Sequence, residues 1–238
     1  MNLDLEVIGR RPDGFHDIRT TMQTIELHDL LSLETVVGEG TLTISGMNVS
    51  GANSVLRAHE ALERTAGRDL DVHFELDKRI PPGSGMGGAS SDAAAALVGL
   101  KSLFRLDVDL APVAEEVGSD VPFFLHGGTA LVEGRGERVT PLPDHDAWFA
   151  IAWPGIELST KAVYAAWDEI GGHDLRRAAE HVEPRLGEFA RELGDGWQLT
   201  GSGSAFFKTV DSEEEGRKAI AELDCWKTVT RSVARWPK

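Results

Sequence analysis

Polar and apolar residues alternate through "NLDLEVI" near the start of the chain, the two-residue period of a strand with one buried face. The runs "TTMQTIEL", "LLSLETV" and "TLTIS" read the same way. Between the first two strands, "RRPDGF" (Arg10 to Phe15) is turn chemistry, because Pro presets one dihedral and Asp-Gly accepts left-handed backbone. The period then changes. In "SVLRAHEALERTAG" Val55, Leu56, His59 and Leu62 fall on one helical face, with Asn53 in the N-cap position. "DLDVHFEL" returns to a strand, and "SSDAAAALVGLKSLF" is apolar on nearly all sides, which predicts a buried helix. "DLAPVAEEVG" reads as a short helix from the Asp109 cap to Gly118, and strands follow around "TALVEG" and "ERVTPL". "LPDHDA" (Leu142 to Ala147) is the best linker. Beyond it come a strand at "WFAIAWPG", a helix at "STKAVYAAWDEI" and one or two helices in "DLRRAAEHVEPRLGEFAREL". "SAFFKTV", "SEEEGRKAIAEL" and "WKTVTRSV" end the chain as strand, helix, strand, an α+β pattern.

One segment answers to neither period. "KRIPPGSGMGGASSDAAAAL", Lys78 to Leu97, carries glycines straight into the Ala-rich helix. Gly83, Gly85 and Gly88 satisfy G-x-G-x-x-G, but Pro81 and Pro82 separate them from the strand, and "DVDLAP" starts a helix where a dinucleotide site needs an acidic strand end. A P-loop is excluded, since no lysine follows the glycines. What remains is a glycine arch, Pro81, Pro82, Gly83, Ser84, Gly85, Met86, Gly87, Gly88 and Ala89, ending at a helix N-terminus with Ser90 and Ser91. Glycines let backbone N–H groups approach a triphosphate, and the helix dipole adds about half a positive charge. The serines can supply hydroxyls, or a ligand to the Mg²⁺ that accompanies ATP. The same residues also fit a plain loop before a buried helix, with the serines as caps.

Composition narrows the choice. The net charge of −15, from 24 basic and 39 acidic residues, argues against a nucleic-acid partner, which needs a basic face. No window approaches the roughly 20 apolar residues of a membrane span. Asp4, Glu6 and Arg10 keep the first residues from reading as a signal peptide, so a cytoplasmic location is expected. Cys225 is the only cysteine and reads as a buried bystander. Histidine spacing suggests no protein-built metal site, and His126 reads as a loop residue rather than a base. With 238 residues the chain has room for one large or two small domains.

"PPGSGMGGASSDAA" resembles the second signature of the GHMP small-molecule kinases. "GRRPDGFHDIRT", "GSDVPFFLHGGTALVEGRGE" and "LTGSGSAFF", in that order, are similar to the branch acting on 4-diphosphocytidyl-2-C-methyl-D-erythritol in isoprenoid precursor synthesis. The resemblance covers nearly the whole chain. It implies a two-domain α+β GHMP kinase fold: a ribosomal protein S5 domain 2-like ATP-binding domain over 1–143 and a ferredoxin-like domain over 144–238. It implies ATP with Mg²⁺ and a cytidyl diphosphate alcohol as the small-molecule partner, phosphorylated on its 2-hydroxyl. By the same resemblance Asp120 is expected in the place of the catalytic aspartate, and the arch residues 81–91 are expected to hold ATP, with Asn53 beside the nucleotide. It also implies that Asn2, Phe15, His16, Thr160 and Tyr164 bind the substrate, Phe15 and Tyr164 sandwiching the cytosine and His16 bonding its edge. Gly201, Ser202 and Gly203 would join them as a second glycine loop closing over the phosphate side. No membrane partner is implied, and a monomer or weak homodimer is expected.

Two departures accompany the match. The family pattern has a Pro-Ala-Lys segment ahead of "NLDLEV", and Met1 stands where the residue after that lysine belongs, so an N-terminally truncated chain is expected. Where the family has Asn-Asp-Leu-Glu, this chain reads "HDLR", His173 to Arg176, after a shortened stretch; both changes fall on the substrate side. Other readings stay open: a GHMP kinase for a non-nucleotide alcohol, a nucleotide-binding homologue impaired by the missing lysine, and more distantly a dinucleotide oxidoreductase.

Overall fold

The computed structural model describes residues 1–38, 40–49 and 51–235. Strands β1 (Glu6–Arg10) and β2 (His16–Gln23) form a hairpin. Its turn is the expected one: Gly14 has φ 86° and the Arg11 guanidinium holds Asp13 and Asp17. Strands β3 (Leu30–Thr35) and β4 (Thr41–Gly46), helix α1 (Ser54–Ala66) and strand β5 (Val72–Lys78) follow. Helices α2 (Gly88–Leu103), α3 (Leu110–Val117) and α4 (Val121–His126) precede strands β6 (Thr129–Gly134) and β7 (Arg138–Pro141). The remainder is β8 (Trp148–Trp153), α5 (Thr160–Ile170), α6 (Arg176–Val182), α7 (Arg185–Leu193), β9 (Gln198–Leu199), β10 (Phe206–Val210), α8 (Glu213–Ile220) and β11 (Trp226–Arg231).

Residues 28–82 and 87–126 form one compact unit. Its sheet has the order β3-β5-β4, with β4 and β5 parallel and joined through α1. Val72, Phe74 and Leu76 alternate inward and are fully buried against α1 and α2. The alanines of α2 explain its central place, because small side chains let α1, α3 and α4 all pack on it. Burial is less complete than the composition suggests: Val98 and Leu103 stay exposed, Val98 on one stripe with Ala95 and Ser102. Asn53 caps α1, its Oδ1 accepting from Val55 N at 2.8 Å. Asn53→Ala is expected to cost about 1 kcal/mol and lower the melting temperature by about 2–4 °C, read by calorimetry.

Residues 1–27, 83–86 and 127–238 form the second unit. It holds two antiparallel sheets, β1-β2-β6-β7 and β11-β8-β10-β9. The latter is a β-α-β-β-α-β sequence of elements in spatial order 4-1-3-2, the ferredoxin-like arrangement. No named strand before residue 143 pairs with one after it, yet residues 1–27 and 127–143 share this unit with the rest, joined by isolated bridges of Ile25 with Ser232 and Gly127 with Arg235 and by backbone bonds such as Val7 N to His173 O and Val233 N to Thr24 O. The long helical stretch divides in two at Glu183-Pro184, since Pro184 cannot donate to a continuing helix. His126 ends α4 instead of lying in a loop. Among the described residues no helix is long and apolar enough to cross a membrane.

Candidate active site

Four helices, α1, α3, α5 and α8, begin with a side-chain cap from Asn53, Asp109, Ser159 or Ser212. Helix α2 does not. Its N-cap is Gly87 at φ 76°, with no side-chain cap bond and no acidic residue in the first turn. The first-turn N–H groups of this 16-residue helix have no side-chain cap from Gly87, and the helix dipole favours an anion there. Ser91 directs its hydroxyl back to Gly88 O at 2.8 Å, while Ser90 is half-buried and Ala89 exposed. A side chain at Gly87 would meet the Phe124 ring at 2.8 Å, so the helix start has no room for one.

Beneath that start lies a buried charge cluster. Lys78 Nζ bonds Asp92 Oδ2 at 2.8 Å and also Asp29 Oδ2. Asp29 Oδ1 accepts from Arg79 N at 2.6 Å and Ile80 N at 2.8 Å. Burial first of all pushes the Asp92 carboxyl up to about 7, against the pull of Lys78. The cluster ties the segment before β3, the end of β5 and the second turn of α2 into one block directly ahead of Pro81.

Gly83 to Met86 pack within the other unit. Leu158 N donates to Gly83 O at 3.1 Å and Ala205 N to Ser84 O at 2.9 Å. Gly85, at φ 78°, lies so close to the second glycine loop that a Cβ would run into Thr200 O and stand 2.8 Å from Gly203 N. Asn2 fastens the same loop: its N–H donates to Thr200 Oγ1 and its Nδ2 to Thr20 Oγ1, both at 2.9 Å. Thr160 and Ser202 share a hydrogen bond at 3.0 Å. The expected residues Asn2, Thr160, Gly201, Ser202 and Gly203 are thus gathered around the first half of the arch.

One turn beyond Thr160, Tyr164 stacks on the His16 ring, with centroids 4.7 Å apart and planes 26° from parallel. Trp167 meets His16 edge-on at 5.5 Å, and His16 Nε2 lies 2.8 Å from Asp168 Oδ1. Phe15 is 47% exposed, its ring under the Arg135 guanidinium at 5.2 Å, and the ring lying on Tyr164 is that of His16. In the "HDLR" segment, Leu175 is buried in the core and His173 O accepts from Val7 N at 2.9 Å.

Asp120 occupies the turn between α3 and α4 and is half-buried. Burial raises its carboxyl above the ordinary value, a direction suited to a proton acceptor. Among the described residues no group of three or more His, Cys, Asp or Glu side chains is placed to hold a metal ion. Burial likewise raises the Cys225 thiol, which leaves it a poor nucleophile.

The family pattern described as the GHMP kinases N terminal domain matches residues 53–128. The 4-diphosphocytidyl-2-C-methyl-D-erythritol kinase of Thermotoga maritima is 38% identical over 87% of this chain and 88% of its own length. The kinase of that name from Aromatoleum aromaticum is 32% identical, over 100% and 92%. A crystal structure of 4-(cytidine 5'-diphospho)-2C-methyl-D-erythritol kinase superposes with TM-score 0.82 at 34% identity, over 97% of this chain and 96% of that one. The chain belongs to the 4-diphosphocytidyl-2-C-methyl-D-erythritol kinase family. A homoserine kinase from Cytophaga hutchinsonii, at 20% identity and TM-score 0.63, covering 92% of this chain and 86% of that one, shares the GHMP fold alone.

Sequence reading missed three features that this family member displays. Asp168 and Trp167 were visible only as the turn after Tyr164 on α5, at i+4 and i+3. Asp29 carried no local signal. Lys78 stands before the glycines, whereas the P-loop pattern places its lysine after them.

Proposed function

We propose that this chain transfers the γ-phosphate of ATP to the 2-hydroxyl of 4-diphosphocytidyl-2-C-methyl-D-erythritol. The observation that carries the chemistry is the uncapped N-terminus of α2 behind its glycine arch, in a chain whose relatives bear this activity in their names. In this reading the backbone N–H groups between Gly83 and Ser91 hold the phosphates, Pro81 and Pro82 stiffen the approach, and Asn53 lies beside the nucleotide. Asp120 accepts or orients the proton of the acceptor hydroxyl. Tyr164, Phe15 and His16 take the cytosine; Asn2, Thr160 and the Gly201–Gly203 loop hold the remainder. In this reading Mg²⁺ arrives on the nucleotide and screens phosphate charge. The reading also carries the division at residues 143 and 144, a cytoplasmic location, and a monomer or weak homodimer.

The test is ADP release by the chain with Mg-ATP, with and without the cytidyl substrate. Substrate-dependent release is expected. ATP binding without such turnover, or turnover with a non-nucleotide alcohol instead, would overturn the assignment.

A further inference from the structure

We infer that Asp168 is a positioning residue for His16 and thereby sets the base preference of the substrate site. The inference rests on the cytidyl reading above and adds a residue to it.

His16 is held by one face of α5. Tyr164, Trp167 and Asp168 stand at i, i+3 and i+4, which places all three on the same side of the helix. Tyr164 covers a face of the imidazole, Trp167 abuts its edge, and Asp168 engages Nε2. The ring is itself buried, 8% exposed, at the first position of β2. Its rotation is therefore restricted, and what it offers a ligand depends on the location of its proton.

Asp168 decides that location. An ionised carboxylate only accepts hydrogen bonds, so at 2.8 Å Nε2 must carry the proton and donate to Oδ1. Arg10 Nη1 stands 3.5 Å from the other oxygen and completes the carboxylate's surroundings. In the neutral ring this leaves Nδ1 as an acceptor. Cytosine presents an exocyclic amine donor on its pairing edge, whereas uracil presents a carbonyl acceptor at the same place. An acceptor at Nδ1 bonds the first and opposes the second. The arrangement has the logic of the aspartate behind a catalytic histidine, where Asp→Asn leaves geometry intact but inverts the tautomer.

The experiment uses the full chain with ¹⁵N-labelled histidine, in wild-type, Asp168→Asn and Asp168→Glu forms. Long-range ¹H–¹⁵N correlation reports the His16 tautomer. The Nε2–H form is expected in wild type, with its Nδ1 resonance moved by cytidine 5′-diphosphate and not by uridine 5′-diphosphate. In Asp168→Asn the amide can donate to Nε2, so the Nδ1–H form is expected to appear. KM for the cytidyl substrate should then rise about tenfold to a hundredfold, the scale on which a partner behind a binding group acts. KM for ATP should stay unchanged, and the preference for the cytidyl over the uridyl substrate should collapse. Asp168→Glu, which keeps the acceptor, should restore the tautomer and part of the preference. An Nδ1–H tautomer in wild type, or an Asn variant that keeps base preference, would overturn the role. So would a variant in which both KM values rise together as the melting temperature falls, the mark of a merely structural contact. Failure of the kinase reading would look different: wild type would turn over neither substrate, while the tautomer and its response to the diphosphates would still decide the role of Asp168.

Discussion

Asp120→Asn is expected to lower kcat about a hundredfold to ten-thousandfold, with KM for ATP and for the cytidyl substrate nearly unchanged. The amide keeps the size of the carboxyl but cannot take a proton from the acceptor hydroxyl. Burial holds the Asp120 carboxyl above the ordinary aspartate value, which makes its ionised form a stronger base. Only that ionised form accepts a proton, so activity should rise as pH rises through the shifted value. The acid limb of the wild-type kcat profile is thus expected at higher pH than an ordinary aspartate would give, and should vanish in the variant. Steady-state ADP release across pH measures both, with melting temperature as the control for folding. An unchanged kcat would remove Asp120 from the proton-transfer step.

Lys78→Met is expected to have the largest effect on stability. The ammonium is 4% exposed between Asp29 and Asp92, and its loss leaves two carboxylates buried without their cation. Breaking such a cluster by removing one partner costs about 3–5 kcal/mol, or about 6–20 °C in melting temperature for a chain of this size. A pH dependence accompanies it. Asp92 is raised from 3.8 to about 7 in the folded state, so it binds a proton more tightly there than in the unfolded chain. Its stabilising contribution is fully present below about pH 4 and is lost as pH climbs through 7. Lys78 opposes that shift, and without it the fall of stability with pH should steepen; Asp92→Asn should flatten it. Urea unfolding at pH values on either side of 7 measures both slopes. A Lys78→Met chain as stable as wild type would show that the cluster contributes nothing to holding the helix start.

The helices capped by Asn53 and Asp109 could be read from the sequence because a cap and the face behind it lie within a few residues of one another. The hairpin turn at Pro12-Asp13-Gly14 was legible for the same reason. Helix α4 was not: six residues are less than two turns, too few for a 3.6-residue period to declare itself. The exposed stripe at Val98 on α2 was also hidden, since an Ala-rich run looks alike on every face until its neighbours are known.

What the sequence determined by itself is the glycine arch running into α2 and the alternation of helices and strands in the second half of the chain, while the missing cap of α2 and the short β9 that completes the 4-1-3-2 sheet came only with the structure. The former follow from steric freedom and periodicity along a few neighbouring residues. The tertiary structure alone decided which groups answer one another: Lys78 with Asp29 across 49 positions, His16 with Asp168 across 152, and Asn2 with Thr200 across 198. Such pairs leave no local pattern. A buried charge or imidazole is stable only beside a matched partner, and the fold supplies that partner from any point along the chain.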